Sequence, residues 1–476
     1  MKLKYITLLL FCPVFNAVSA QTLDQARTMF TKGLYEKAKP VFERYVKSQP
    51  NNANYNYWYG VCCLKTGEID KSTRYLEFAA KKKIQNAPLY LGQAYDQIYR
   101  FEEAVEAFEE YIEGLAGKKQ PVEKVKAALE KSKTKARMIK GVEDVCIVDS
   151  IVVDKAGFLS AYKISEEAGR IHTYADFFNA GGGGGTVYEN ELGNRIYYGK
   201  AGAGGGLNIF CRNKLLHEWS KETELPENIN AGGNTNYPFV LSDGMTVYYA
   251  SDGAHSTGGY DIFVTRYNSR SETFLAPENV GMPFNSPAND YMYVIDEYNN
   301  LGWFATDRNQ PKDKVCIYVF VPNASRSAYN YEAMDRKKMR NLAKLNSIRD
   351  TWKDGTVAAE ARKRLAAARA QTQSERKVYE FTFVINDRYI YHHADDFRSP
   401  RAKELFGNYR QMEKDCRALV DKLDELRSTY AGAGKDDRNR MGAGILDLEE
   451  RVRTMGGQLD ALGVSVRNEE IKSLNK

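Results

Sequence analysis

The sequence predicts a multidomain chain of mixed class: an N-terminal α-solenoid, a β-propeller of about five or six blades with a helical insertion, and a C-terminal helical hairpin. Three periodicities predict it. Small and apolar residues recur at intervals of 34 and 32 near the N-terminus, and paired aromatic strands recur at an interval of 51 in the middle. Beyond these, apolar residues at alternating steps of four and three fill the C-terminal part.

The first twenty residues, MKLKYITLLLFCPVFNAVSA, combine a lysine-bearing start, an apolar run and the small-residue ending Val18-Ser19-Ala20. This is the pattern of a secretory signal peptide, so the mature chain is expected to begin at Gln21. Cys12 follows the bulky Phe11, which disfavours a lipoprotein site. No later stretch approaches the roughly 20 apolar residues that cross a bilayer, so the expectation is an exported protein without a transmembrane segment. A total of 476 residues implies more than one domain. The six cysteines beyond Cys12 are scattered, unlike a disulfide framework or a metal site, and read as small buried apolar residues.

Residues 21–140 carry the first repeat. Gly33, Ala38, Phe42 and Tyr45 recur 34 residues later as Gly67, Ser72, Leu76 and Ala79, and Gly60, Cys63, Ser72 and Leu76 recur after 32 as Gly92, Tyr95, Ala104 and Phe108. Small residues where two helices cross, with larger apolar ones between, describe a helix-turn-helix unit that buries its apolar face only by stacking on a neighbour. GLYEKAKPVFERYVKSQP resembles the tetratricopeptide repeat (TPR) pattern, with Trp58 and Gly60 fitting the next first helix. The sequence departs from it where Pro88 arrives late and Tyr99 replaces the turn glycine. Residues 121–140, basic and helical, are expected to cap the stack.

Residues 141–407 carry the second. Tyr197-Tyr198 and Tyr248-Tyr249 are 51 apart, as are Pro226-Glu227-Asn228 and Pro277-Glu278-Asn279. NRIYYGKAGAGGGLNIF, MTVYYASDGAHSTGGYDIF and NLGWFATDRNQPKDKVCIYVF share one plan: an aromatic strand, a polar turn and an aliphatic-aromatic strand. A fourth copy is expected over 387–406 and a looser one over 145–178. Short strands at a period near 50 indicate propeller blades. Pro238, Phe239, Ser242, Asp243, Gly244, Tyr248, Ser251, Asp252, Gly259, Asp261, Ile262 and Phe263 together resemble the PD40 (TolB-like, WD40-like) propeller repeat. Between the third and fourth copies, residues 325–373 are alanine- and arginine-rich and predict a helical excursion. Because it interrupts a repeat, its removal is expected to leave the blades folded.

In residues 408–476, Leu419, Leu423 and Leu426 on one arm and Val452, Leu459 and Leu462 on the other are expected to pair across an AGAGKDD turn, with Gly456-Gly457 bending the second arm.

Catalytic signatures are absent: no G-x-S-x-G elbow, no H-E-x-x-H, no phosphate-cradling G-x-x-x-x-G-K-[ST]. His392-His393 lie on an expected strand, where neighbours point to opposite faces, which disfavours a shared metal. Gly181 to Gly185 and AGAGGG read as inter-strand loops, and the SDG turns as turn chemistry. The net charge of +6 conceals basic runs, as at Lys118 to Lys140, with nine Lys or Arg against two Glu. These suit solvated helix faces, or contact with an acidic partner or an anionic envelope surface; an exported protein rarely meets nucleic acid, and none is expected as a partner.

The reading is therefore a non-catalytic scaffold or adaptor without cofactor. The order TPR then PD40 resembles PorE-type envelope proteins, which implies a periplasmic protein bound through partners to an outer-membrane or secretion-type assembly. Such proteins carry an OmpA-like domain where this chain has its heptad hairpin. The alternatives are a ligand- or glycan-binding propeller and a homo-oligomeric structural subunit assembled through the C-terminal helices.

Overall fold

The computed structural model describes residues 21–116, 121–179, 184–215, 218–374, 381, 383–386 and 389–474. The expected signal peptide, Gly181–Gly183 and the start of the fourth copy lie outside them. The described residues form two compact units divided after Gln373.

The first unit opens with α1 (Leu23–Thr31), α2 (Tyr35–Ser48), α3 (Ala53–Lys65), α4 (Ile69–Lys81), α5 (Ala87–Gln97), α6 (Phe101–Gly114) and α7 (Glu123–Met138). Side-chain caps set two starts: Thr22 and Gln25 form a reciprocal box before α1, and the Asn52 carboxamide oxygen accepts from the N–H of Asn54 and Tyr55 before α3. The repeat glycines have two uses. Gly33 and Gly67 turn the chain with φ of +74° and +84°. Gly60 and Gly92 let helices cross, since a Cβ there would lie 2.9 Å from Leu76 Cγ and 2.7 Å from Phe108 Cε1. Ala38, Ala104, Phe42 and Phe108 are buried as the repeat requires, and Ser72 Oγ donates to Gly60 O at 2.7 Å. The helix α7 caps α5 and α6 through an ion pair from Lys135 to Asp96, joined by Ser132 Oγ at 2.9 Å.

The sheet region comprises β1 (Cys146–Asp154), β2 (Arg170–Thr173), the short helix α8 (Tyr174–Phe178), β3 (Thr186–Glu189), β4 (Arg195–Ala201), β5 (Leu207–Asn213), β6 (Thr223–Glu224), β7 (Thr235–Val240), β8 (Thr246–Ser251), β9 (Asp261–Asn268), β10 (Thr273–Phe274), β11 (Glu278–Asn279), β12 (Asp290–Asp296), β13 (Leu301–Thr306) and β14 (Lys314–Val321). They build three antiparallel sheets ordered β2-β3-β4-β5-β6, β7-β8-β9-β10 with β11 also on β9, and β12-β13-β14-β1. The first packs on β7 of the second, and β12 of the third packs on β7, β8 and β9. Residues 155–161, a 3-10 segment, pack against β1 and β14 on one side and β2 on the other.

Three expectations are corrected. Among the described residues this unit has three sheets of blade size, not five or six, and no sheet closes into a barrel. The looser early copy is no separate blade: β1 joins the third sheet, with Ile151 opposite Ile317. The helical excursion, α9 (Arg336–Lys344) and α10 (Thr356–Ser374), is part of the core. Ala361 and Leu365 are buried in the main sheet core, and β1, an edge strand, has its outer backbone groups met by this segment. Ile147 N donates to Thr351 Oγ1 at 3.0 Å, and Ile147 O and Val148 O accept from Trp352 Nε1 at 2.7 Å and Arg362 Nε at 3.2 Å.

The excursion also binds the helical repeats. Met339, Leu342 and Ala343 of α9 are buried with Tyr99, Phe101, Ile139, Val142 and Met282. Tyr99 holds the left-handed φ of +62° that glycine holds in the earlier repeats, and its buried ring lies 5.1 Å from that of Phe101. The departure from the repeat pattern is thus where the stack docks on the sheets.

The second unit holds β15 (Phe383–Asn386), β16 (Tyr389–Tyr391), α11 (Pro400–Gly432) and α12 (Lys435–Leu474). The fourth copy is consequently not a blade among the three sheets: Phe383, Ile385 and Tyr391 share a core with Phe406 and Val466 of the long helices. The hairpin register differs in part from expectation. The turn shrinks to Ala433-Gly434, so Leu419, Leu423 and Leu426 share a cluster with Val452, as expected, but also with Ile445 and Leu448, while Leu459 lies too far from the turn to face them. The helix α12 runs unbroken through Gly456-Gly457.

Candidate interaction surfaces

Phe30 of α1, Tyr35 at the start of α2, Tyr57 of α3 and Tyr90 of α5 form a ladder of rings. Phe30 lies 5.6 Å from Tyr35 and 6.0 Å from Tyr57, and Tyr57 lies 6.0 Å from Tyr90, centroid to centroid in edge-on geometry. Tyr57 is buried, whereas Phe30, Tyr35 and Tyr90 keep partial exposure. Beside Tyr90, Lys65 Nζ stands 5.5 Å from the ring centroid and donates to Gln93 Oε1 at 3.0 Å. It makes no ion pair among the described residues, and partial burial lowers its proton affinity below the ordinary lysine range. On α1, Arg27 lies over Trp58 at 4.9 Å. Half-exposed rings interleaved with cations form an amphipathic surface spanning three repeats, the chemistry by which tyrosine and arginine serve interfaces. Sequence reasoning picked the small repeat residues and missed these. The signal was available, because Tyr57 and Tyr90 are one repeat apart.

The propeller-signature residues serve the sheets. Asp243 accepts from Met245 N and Thr246 N, both at 2.8 Å, and Gly244 turns with φ +65°. Ser242 N donates to Glu297 at 3.2 Å, and Ser251 Oγ accepts from Gly253 N at 3.2 Å. Tyr248 lies 4.7 Å from Tyr293 of the third sheet, Pro238 sits in β7, and Ile262 and Phe263 are buried. Asp261 is buried and accepts from Thr257 N and Oγ1 and from Asn279 Nδ2; burial outweighs these bonds and raises its carboxyl above the ordinary aspartate range. The Ser-Asp-Gly at 242–244 thus fixes its turn, whereas Asp252 of the second Ser-Asp-Gly accepts from Asn234 N and Nδ2.

A latch between sheets went unnoticed in the sequence. Asn230 exchanges two hydrogen bonds with the backbone of Ile209, and Asn285 does the same with Ile262. Asn234 and Asn289 each take a backbone N–H from the preceding sheet, from Leu207 and Tyr260, while donating to Asp252 and Asp307. These asparagines repeat at 55 residues rather than 51, because Gly281-Met282-Pro283-Phe284 is inserted after the second Pro-Glu-Asn. The insert carries Met282 into the core shared with the helical repeats, and its carbonyl accepts from Glu143 N at 2.8 Å. Gly259 donates its N–H to Ala288 O at 2.9 Å beside the same latch.

Tyr237 and Tyr260 join a cluster with Tyr291 and Phe158; Tyr237 has φ +57° where β7 bulges. Among the described residues there is no group of three metal-ligating side chains and no helix long and apolar enough to cross a membrane. Cys62, Cys63, Cys146, Cys211, Cys316 and Cys416 are free thiols, the first two with proton affinities raised by burial.

Residues 23–87 match the tetratricopeptide repeat family. Among solved structures, the Sgt2 TPR domain from Aspergillus fumigatus is similar at 22% identity and a TM-score of 0.22, over 24% of this chain and 76% of that one. The type III secretion translocator chaperone SycD of Yersinia enterocolitica is similar at 22% identity and a TM-score of 0.22, over 26% of this chain and 92% of its own. No curated protein matches the chain.

Proposed function

We propose that this chain is a non-catalytic adaptor of the cell envelope that binds protein partners of an outer-membrane or secretion-type assembly through its TPR repeats and its sheet region. The observation that carries the reading is the ring ladder Phe30, Tyr35, Tyr57 and Tyr90 with Lys65, which crosses three repeats and keeps part of its apolar surface uncovered. Repeats of this kind present such faces for extended binding. In this reading residues 1–20 direct export, the protein acts in the periplasm, and the three sheets are PD40-type blades. Supporting these finer points are the charged and apolar start of the chain, the Ser-Asp-Gly elements at 242–244 and 251–253, and the Tyr-Asp-Ile-Phe strand at 260–263.

Replacing Tyr90 by Ser and Lys65 by Glu in the tagged full chain should reduce recovery of cross-linked envelope partners about tenfold. The stack should stay folded with at most a modest loss of stability, since Lys65 is exposed and Tyr90 only partly buried. Recovery at wild-type level from a folded double variant would overturn the assignment of this face.

A further inference from the structure

The turns that end β3, β7 and β12 meet at one end of the three sheets, and hydrogen bonds fix them there. Tyr188 Oη is 2.9 Å from Val240 O and 3.2 Å from Ala168 O. Ser165 donates through N and Oγ to Asp296, both at 2.8 Å, and Asp296 also accepts from Asn299 Nδ2 at 2.8 Å. Ser242 N bridges to Glu297, linking the second turn to the third.

Two apolar side chains stand out from this rigid platform. Leu192, at the first turn, is 72% exposed, and Tyr298, at the third, is 65% exposed. They are the most exposed large apolar residues described in the first unit. Neither position needs such a side chain for its turn, where Gly, Asn or Asp would serve. Glu166, Glu167, Glu191, Asp243 and Glu297 are exposed around them. Arg170 engages Glu166 and Glu189, and Arg266 approaches Asp243 at 4.0 Å. Glu167, Glu191 and Glu297 have no ion pair among the described residues, and the five exposed carboxylates outnumber Arg170, Arg266 and Arg364, the last of which donates to Asn300 O at 3.4 Å, on a chain whose net charge is +6.

The geometry points to a second docking surface, separate from the ring ladder, for a basic protein segment that buries apolar side chains on Leu192 and Tyr298 and sets Lys or Arg against these carboxylates. The apolar pair supplies affinity, and the carboxylates select the sign of the partner and speed its capture.

The test uses the full chain and two fluorescein-labelled synthetic peptides, one alternating Lys and Leu in amphipathic order, the other with Glu in place of every Lys. Anisotropy should show binding of the basic peptide alone, weakening as salt is raised. Leu192→Ser with Tyr298→Ser should weaken it about tenfold. Glu167→Gln with Glu191→Gln and Glu297→Gln should weaken it severalfold and flatten its salt dependence. Control substitutions Glu404→Gln with Glu413→Gln in the second unit, and Tyr90→Ser on the ring ladder, should leave it unchanged. Equal binding by the turn variants, binding lost with Tyr90→Ser, or a dimer that sedimentation shows dissociating on Leu192→Ser with Tyr298→Ser would each overturn the proposal.

Discussion

Replacing Leu365 by aspartate should destabilise the first unit by about 4 kcal/mol, the sum of a lost buried leucine and an unpaired buried charge. Leu365 is 2% exposed and packs with Ala361 into the core shared by all three sheets. The same helix meets the open edge of β1 through Arg362, and the preceding turn does so through Thr351 and Trp352. Exchanging residues 325–373 for a Gly/Ser linker removes both contributions at once, so no cooperative melting transition of the sheets should survive. Retention of that transition in the exchanged chain, or an unshifted transition in Leu365→Asp, followed by circular dichroism, would contradict the packing described for α10.

The next largest effect is expected at Arg308. Its guanidinium is 3% exposed and donates to Asp290 Oδ1 at 2.7 Å, to Pro283 O at 2.7 Å and to Phe284 O at 2.6 Å, while Nε reaches Thr306 Oγ1 at 3.1 Å. Asp290, wholly buried, turns its other oxygen to Ser286 N and Oγ. Arg308→Ala strands that carboxylate and two carbonyls, and should cost about 3 to 5 kcal/mol. Arg308→Met with Asp290→Leu should recover part of this loss, because an apolar pair leaves no buried charge. Failure of the double variant to exceed Arg308→Ala in stability would show that the carbonyl bonds, not the ion pair, dominate.

The helical repeats were legible because their geometry constrains residue size: a Cβ at Gly60 or Gly92 meets the next helix directly. Strands and turns were legible for a similar local reason, since Asp243 and Gly244 each satisfy one turn. What the sequence concealed is long-range. Residues 145–178 read as an early blade, yet the first strand of that stretch pairs with one about 165 residues later, a choice set by tertiary packing rather than propensity. Alanine- and arginine-rich residues 356–374 read as a surface excursion, because alanine buries closely against a sheet without an obvious apolar stripe. The hairpin's heptads were recognised, but register follows distance from the turn, and the turn proved shorter than its glycines suggested. At the candidate site, Tyr57 and Tyr90 were hidden among 32 tyrosines, most of which pack between elements.

The claim that the ring ladder of α1, α2, α3 and α5 receives a protein partner is tested most directly by placing a photo-crosslinking benzoylphenylalanine at position 90 of the full chain and irradiating intact cells. The account predicts one or a few discrete adducts of defined mass, absent when the same group is placed at exposed Lys81 on α4, and lost when Lys65→Glu is introduced alongside. A folded, exported chain that yields no adduct at position 90, or the same adducts at both positions, would contradict it.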